Sequence, residues 1–265
     1  WTTAVNIAFN RNKVLELGGE EYKEMAEGDG HLKTGSVRRL IVGEPIGVFY
    51  GYRFDGIFQN EEECKQQTSS ASPIGVGLRR YKDLNGDGKV DAANDREILG
   101  DANPKFFGGL TNTFAYKGFE LNVFLQYSYG NKILNYNAME LENPTGGQNA
   151  YADMVNRWTP ENPSNIYPKA TTNRALLVSD RFIEDGSYLK LKTLSLSYSF
   201  PKINLKHIQG LRLYVTGQNL LTWTKYRGYD PEVSYRGAST LEAGEDFGGY
   251  PQSRTFMFGI KLDIK

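Results

Sequence analysis

The chain has 265 residues with 31 Lys plus Arg against 31 Asp plus Glu, so its formal net charge is zero, and neither a nucleic-acid footprint nor a polybasic membrane-surface patch is expected. A hydrophobic share of 39%, aromatics at 13% and 29 Gly point to β-structure with many turns. The single Cys, Cys64, excludes an internal disulfide or a paired-Cys metal motif, and two His, His31 and His207, argue against a His-rich metal centre or a His-based triad.

No stretch approaches the roughly 18 to 20 consecutive apolar residues of a membrane helix, which leaves a β-barrel open because barrel strands show only weak alternation. The first residues show no basic n-region or apolar h-region, so no secretory signal is expected. They already alternate, with Trp1, Thr3, Val5, Ile7 and Phe9 against Thr2, Ala4, Asn6, Ala8 and Asn10. The chain is therefore read as starting inside a strand, as a piece of something longer. Further strands are expected over residues 36–42 and 46–58, with Gly47 and Gly51 placed where a second backbone approaches closely. Residues 60–67 have helix-forming composition, and the Ser/Pro/Gly-rich run 68–77 reads as an exposed loop.

Residues 106–116 and 119–129 read as a hairpin closed by Lys117-Gly118. The second strand sets Phe119, Leu121, Val123, Leu125, Tyr127 and Tyr129 against Glu120, Asn122, Gln126 and Ser128. A polar segment from Asn131 to about Asp180, with Pro144, Pro160, Pro163 and Pro168, is too long for an ordinary loop. The pattern then repeats. Residues 188–200 end with Leu194, Leu196, Tyr198 and Phe200 against Ser and Thr; residues 211–223 follow; a second long loop spans 224–253; and 254–264 form the last strand. Short turns alternating with long loops, and strands of the roughly 9 to 11 residues a tilted membrane strand needs, fit an outer-membrane barrel. Tyr127, Tyr129, Tyr198, Phe200 and Trp223 fit its interface girdles.

The run Asp83-Leu84-Asn85-Gly86-Asp87-Gly88-Lys89-Val90-Asp91 matches the first nine positions of an EF-hand-type loop. Asp83, Asn85, Asp87, the Lys89 carbonyl, Asp91 and Asp95 are the candidate ligands and Ca2+ the expected ion, against the alternative of a solvated Asx-rich turn. The twelfth position is Asn94, and Asp95 falls one residue late. Trp158, Tyr151, Tyr167, Tyr226 and Tyr229 lie in the long loops, where they either stack on sugar rings or pack the loops together or against a lid. Glu120 and Asp263 read as polar, lumen-facing strand residues, and Glu161 and Glu184 as solvated ones. No motif carries triad or acid/base logic, so no catalytic residue is assigned and the chain is read as a non-enzyme.

The run from Gly100 to Phe114 (GDANPKFFGGLTNTF) followed by Tyr116-Lys117-Gly118-Phe119-Glu120-Leu121 resembles the late barrel segment of SusC/RagA-type TonB-dependent transporters. Gly43-Glu44-Pro45-Ile46-Gly47-Val48-Phe49-Tyr50-Gly51-Tyr52, Arg157-Trp158-Thr159-Pro160-Glu161-Asn162-Pro163, Tyr188-Leu189-Lys190-Leu191-Lys192, Gly217-Gln218-Asn219-Leu220 and Tyr250-Pro251-Gln252-Ser253-Arg254 agree, in order, over nearly the whole chain. The resemblance implies an all-β fold: residues 1–265 as the C-terminal portion of a 22-stranded antiparallel transmembrane barrel, with short periplasmic turns, long extracellular loops and the Asp-rich loop at 83–95. The family's plug, TonB-contact segment and signal peptide have no counterpart in these residues, and the last strand ends Asp263-Ile264-Lys265 where the family habit is an aromatic residue.

The same resemblance implies the wall and mouth of an outer-membrane importer of glycans or oligosaccharides, or of peptides for some members. Its implied partners are the remainder of the transporter chain, a SusD-like surface lipoprotein, the TonB complex and the lipid bilayer. The rival reading from the residues is a soluble calcium-binding β-sandwich that holds carbohydrate.

Overall fold

The computed structural model describes every residue except 26, 27, 29, 33, 144–148, 173–175, 202–206, 233, 238, 240 and 265, so Pro144 and Lys265 lie outside the described residues. Six long strands form one antiparallel sheet in strict chain order: β1 (Thr2–Ala8), β2 (Phe106–Tyr116), β3 (Phe119–Tyr129), β4 (Tyr188–Ser199), β5 (Ile208–Thr224) and β6 (Thr255–Ile264). The expected hairpin is present. Lys117 and Gly118 both have positive φ (46° and 89°), the pairing a two-residue turn needs to follow the twist of its strands.

Register carries the alternation across the sheet. Val5, Leu110, Leu125, Leu191 and Leu221 pair in one row, and the adjacent row is Asn6, Gly109, Gln126, Lys190 and Thr222. A second apolar row, Phe114, Leu121, Leu196, Val215 and Phe258, lies beside Ala115, Glu120, Ser197, Tyr214 and Gly259. In β4 the apolar positions are odd at Leu189 and Leu191 but even at Leu194, Leu196 and Tyr198. A bulge reconciles them: Lys192 has no partner in the ladder, while β5 inserts Asn219 (φ 52°) and Leu220 opposite it. Each strand thus returns most of its apolar residues to one face, Phe107, Phe124, Tyr214 and Met257 standing on the other.

The three long connections all leave from the same end of the sheet, as an antiparallel meander with short turns at its other end requires. Of the two roles open to their aromatic residues, stacking on sugar or packing the loops together, the second is the one seen: the connections fold together into a cap with its own core. Leu32, Val37, Phe49 and Leu99 come from the first connection, and Leu134, Met139, Leu176, Val178 and Phe182 from the second, all buried in one cluster against Ala243 and Phe247 of the third. In a small sheet the strand Lys132–Asn135 lies in the middle, pairing antiparallel with Ile183–Asp185 on one side and parallel with Glu245–Asp246 on the other. The strand expected over 46–58 is broken at Arg53 into Val48–Tyr52 and Phe54–Ile57, because Arg53 turns aside to bond Glu97 and Asp180. The short helix is Glu61–Lys65, capped by the Asn60 side chain accepting from Glu63 N. Residues 68–77 are less exposed than expected: they open with a two-residue strand, Thr68–Ser69, and most of the rest is half-buried.

Gly51 meets the close approach expected of it. A Cβ there would lie 2.4 Å from the Val178 carbonyl oxygen, which accepts the Tyr52 N–H at 2.9 Å. Gly51→Val must therefore push apart the first and second connections. The expected cost is about 1 to 3 kcal/mol, as for other overpacked cores, read as a lower melting temperature of the intact protein with faster protease cleavage in the cap. An unchanged melting curve would show that the two backbones are not in contact.

Candidate functional site

The two faces of the sheet differ in chemistry. On the apolar face Val5 (66% exposed), Leu196 (45%) and Phe258 (82%) are open, and no second sheet packs over them among the described residues. That geometry does not make a β-sandwich, whose apolar faces cover each other. Aromatic pairs border this face at both ends. Phe106 and Tyr129 stack at 5.1 Å near the cap, and Phe119–Tyr198 (4.5 Å) and Tyr198–Phe200 (4.8 Å) meet at the far end. Leu and Val lie between the two aromatic groups. The outer edges of β1 and β6 have no partner within the described residues. In hydrocarbon such edges must be completed by further strands.

The polar face carries linked hydrogen-bonding groups: Asn122 to Thr113 (2.9 Å), Ser195 with Thr216 (2.8 Å), and Arg212 to Glu120 (2.5 Å) and Ser197 (2.7 Å). Glu120 and Asp263 stand on this face, as expected. Near the cap it bears a latch. Lys190, with its side chain only 2% exposed, donates from Nζ to Asp230 Oδ1 and Glu232 Oε2, both at 2.5 Å. Lys192 Nζ reaches Glu232 Oε2 at 2.8 Å, and Gln126 and the Tyr188 hydroxyl donate to Glu232 Oε1. Asp230 also accepts from the backbone N–H groups of Glu232 and Gln252. Burial is the largest single influence and raises both carboxyl pKa values, but the lysine hydrogen bonds and charges together, joined at Asp230 by two backbone N–H groups, outweigh it and hold Asp230 and Glu232 below their ordinary values. The third connection is thereby pinned against the wall on the polar face.

A second charge network lies inside the cap. Glu142, with its side chain 1% exposed, accepts from Arg181 (Nη2 at 2.6 Å, Nε at 2.9 Å) and Arg227 (Nη1 at 2.8 Å). Arg227 continues to Glu184 at 2.9 Å, which also accepts from Asn135. Glu184 is thus a half-buried carboxylate held in an ion pair on the strand Ile183–Asp185, contrary to the solvated loop position expected for it, whereas Glu161 is exposed. Arg38 and Glu245, each 2% exposed, pair at 3.0 Å and tie the first connection to the third.

Four of the five loop aromatics pack the cap. Tyr226 is buried and donates to Asp246, the Trp158 Nε1–H donates to Gln59 Oε1 at 3.0 Å, Tyr167 bonds Asp153, and Tyr151 packs on the central cluster. Only Tyr229, 80% exposed, presents a free ring.

The Asp-rich loop is organised by its own backbone. Asp83 accepts from the N–H groups of Gly86 and Gly88, Asp87 from that of Lys89, Asp91 from those of Ala93 and Asn94, and buried Asp95 from those of Leu84 and Asp91. Asn85 accepts from the N–H of Asp87, and Lys89 pairs with Asp91 at 3.1 Å. All six predicted ligand residues lie in this one loop. Among the described residues no three His, Cys, Asp or Glu side chains gather as a ready-made metal site.

Neither the latch nor the Glu142 network was assigned from sequence. For the latch a signal existed: Asp230 and Glu232 are spaced by two, as are Lys190 and Lys192, so two acids can meet two bases of one strand face.

No family model matches the chain. TonB-dependent receptor P3 of Formosa agariphila is 38% identical to it over 99% of this chain and 26% of the receptor's length. TonB-dependent receptor SusC of Bacteroides thetaiotaomicron is 26% identical over 100% of this chain and 24% of its own. The RagAB peptide transporter superposes with a TM-score of 0.74 at 25% identity, covering 98% of this chain and 27% of that one. The chain spans about a quarter of the length of the relatives it matches. The resemblance to SusC/RagA-type TonB-dependent transporters thus holds along the whole chain, the sheet is a partial wall of their antiparallel barrel, and the relatives are receptors and transporters, not enzymes.

Proposed function

We propose, from the premise that this chain is barrel wall of a SusC/RagA-type TonB-dependent transporter, that it forms the wall and extracellular mouth of an outer-membrane importer of glycans or oligosaccharides, or of peptides. One observation carries the reading. Three long connections leave the same end of a six-stranded meander and share one core, while the other end has a two-residue turn and the sheet exposes one apolar face. A wall in lipid with a rigid mouth on one side has that form. In this reading a SusD-like lipoprotein closes over the cap, and the TonB complex acts through other parts of the whole protein.

Spin labels test it. In the intact protein in bilayers, labels at Leu196 and Leu213, on inner strands of the sheet, are expected to collide with lipid-soluble oxygen, and a label at Thr216 with a water-soluble relaxer. Equal, dry accessibility at all three positions would sink the membrane reading.

We also propose that the 83–95 loop takes Ca2+. Oxygen-bearing side chains alternate there, and Gly86 and Gly88, at φ 76° and 79°, wrap the backbone round them. Calorimetric titration of the intact protein should give binding heat that disappears in the Asp83→Ala, Asp87→Ala double variant. The same heat from both proteins would remove the site.

A further inference from the structure

Where the apolar face of the wall meets the cap, the inner strands β2 to β5 leave an open groove of about 590 Å3, a volume in the range of small-molecule sites. Its floor is the row Tyr127, Leu189 and Trp223, one residue on each of β3, β4 and β5, beside the stacked rings of Phe106 and Tyr129. Tyr129 and Trp223 are each 51% exposed and Leu189 39%, so the groove is open to whatever lies against this face. The next row on the same face is Leu125, Leu191 and Leu221, and the floor therefore continues down the wall. The rim on the cap side is polar and fixed. Ser187 Oγ accepts from the Gly130 N–H at 2.9 Å and donates to Asp185 Oδ1 at 2.6 Å, and the Ser187 carbonyl accepts from the Thr224 hydroxyl at 2.8 Å.

Asp185 is the one carboxylate lining the groove, and four cations stand around it. Lys225 lines the groove, Lys132 faces Asp185 across the strand pair, Lys105 extends over Gly130, and Arg11 Nη1 donates to the Lys105 carbonyl at 3.0 Å. None of the four makes an ion pair among the described residues. Burial raises the Asp185 carboxyl pKa, but the Ser187 hydrogen bonds and the charges of Lys132 and Lys225 outweigh it and hold Asp185 below its ordinary value. Positive charge is therefore in excess directly beside an apolar floor. We propose that this groove holds a lipid of the surrounding leaflet whose headgroup carries a phosphate monoester, its acyl chains lying along Tyr127, Leu189 and Trp223. A phosphate monoester brings close to two negative charges and three acceptor oxygens, an answer to the cation excess that a zwitterionic headgroup lacks. A water-soluble phosphate would leave the exposed Leu and Trp floor uncovered. The inference rests on the reading that this face of the wall meets lipid.

The test is native mass spectrometry of the intact protein, stripped of lipid in detergent and titrated with dioleoyl phosphatidate or dioleoyl phosphatidylcholine, which share chains and differ in headgroup. Each basic residue at a membrane surface is worth about fivefold in affinity for anionic lipid, so phosphatidate should be retained at least tenfold more tightly. The Lys105→Gln, Lys225→Gln double variant should lose about tenfold or more of that preference. Lys117→Gln removes a lysine from the turn at the far end of the same wall and should leave it unchanged. Equal retention of the two lipids, a preference that survives the double substitution, or one that falls as far in Lys117→Gln overturns the proposal. Oxygen accessibility of spin labels at Leu196 and Leu213 separates this failure from that of the wall itself. Labels in contact with lipid, without a headgroup preference, remove the groove alone; dry labels remove both.

Discussion

Glu142→Leu is expected to melt the cap while leaving the wall paired. The carboxylate is buried between Arg181 and Arg227, and its removal leaves two guanidinium groups facing an apolar side chain. Breaking a buried pair from one side costs about 3 to 5 kcal/mol where the remaining charge stays desolvated, as Arg181 does at 13% exposure; Arg227, at 45%, adds little because water reaches it. The loss should spread, since Arg227 also holds Glu184, and Glu184 lies on the strand Ile183–Asp185 that pairs with Lys132–Asn135. Limited proteolysis of the intact protein in its membrane is the measurement: faster cleavage within residues 130–187 and 225–254, with the six-stranded wall still protected. Glu161→Ala, at an exposed carboxylate, serves as the control and should stay within about 0.5 kcal/mol. Equal protection of Glu142→Leu and the unaltered protein would mean that the network does not support the cap.

The wall was legible because its information is local. Alternation at Phe119–Tyr129 needs only neighbouring residues, and Lys117-Gly118 announces its turn, so strands and hairpin stand where periodicity puts them. The parity switch in β4, from Leu191 to Leu194, was also written in the sequence; reading it as a bulge required the partner strand, where Asn219 and Leu220 are inserted. The cap was not legible. Its core joins Phe49, Met139 and Phe247, far apart in the chain, and short strands such as Glu245–Asp246 have no period of their own. Its charges misled for the same reason: Glu184 is polar and sits in a long connection, which reads as solvated until Arg227 is brought to it from 43 residues away. The Asp-rich loop was conspicuous because its residues are adjacent, whereas Arg38 and Glu245 meet only through tertiary folding.

Lys190→Met should release the third connection from the wall. The substitution keeps the length of the side chain and removes the charge that Asp230 and Glu232 share. Lys192 still reaches Glu232, but Asp230 is left with the backbone N–H groups of Glu232 and Gln252 alone. A cost of about 3 kcal/mol or more is expected for a buried carboxylate deprived of its cation. A spin-label pair at Leu221 on β5 and Tyr250 on the connection reports it: one narrow distance in the unaltered protein at neutral pH, a broad distribution in Lys190→Met. Acid should act in the same direction. Both carboxyl groups titrate lower in the folded protein than in the unfolded chain, so the latch contributes fully above the unfolded values near 4 and loses its contribution as pH falls through the folded ones. The unaltered protein should therefore keep its narrow distance from pH 7 down to about 5 and broaden only below about 4, while Lys190→Met is broad throughout. A narrow distance in Lys190→Met at pH 7 would mean that the connection is held by the cap core alone, and that the polar face of the wall contributes nothing to the shape of the mouth.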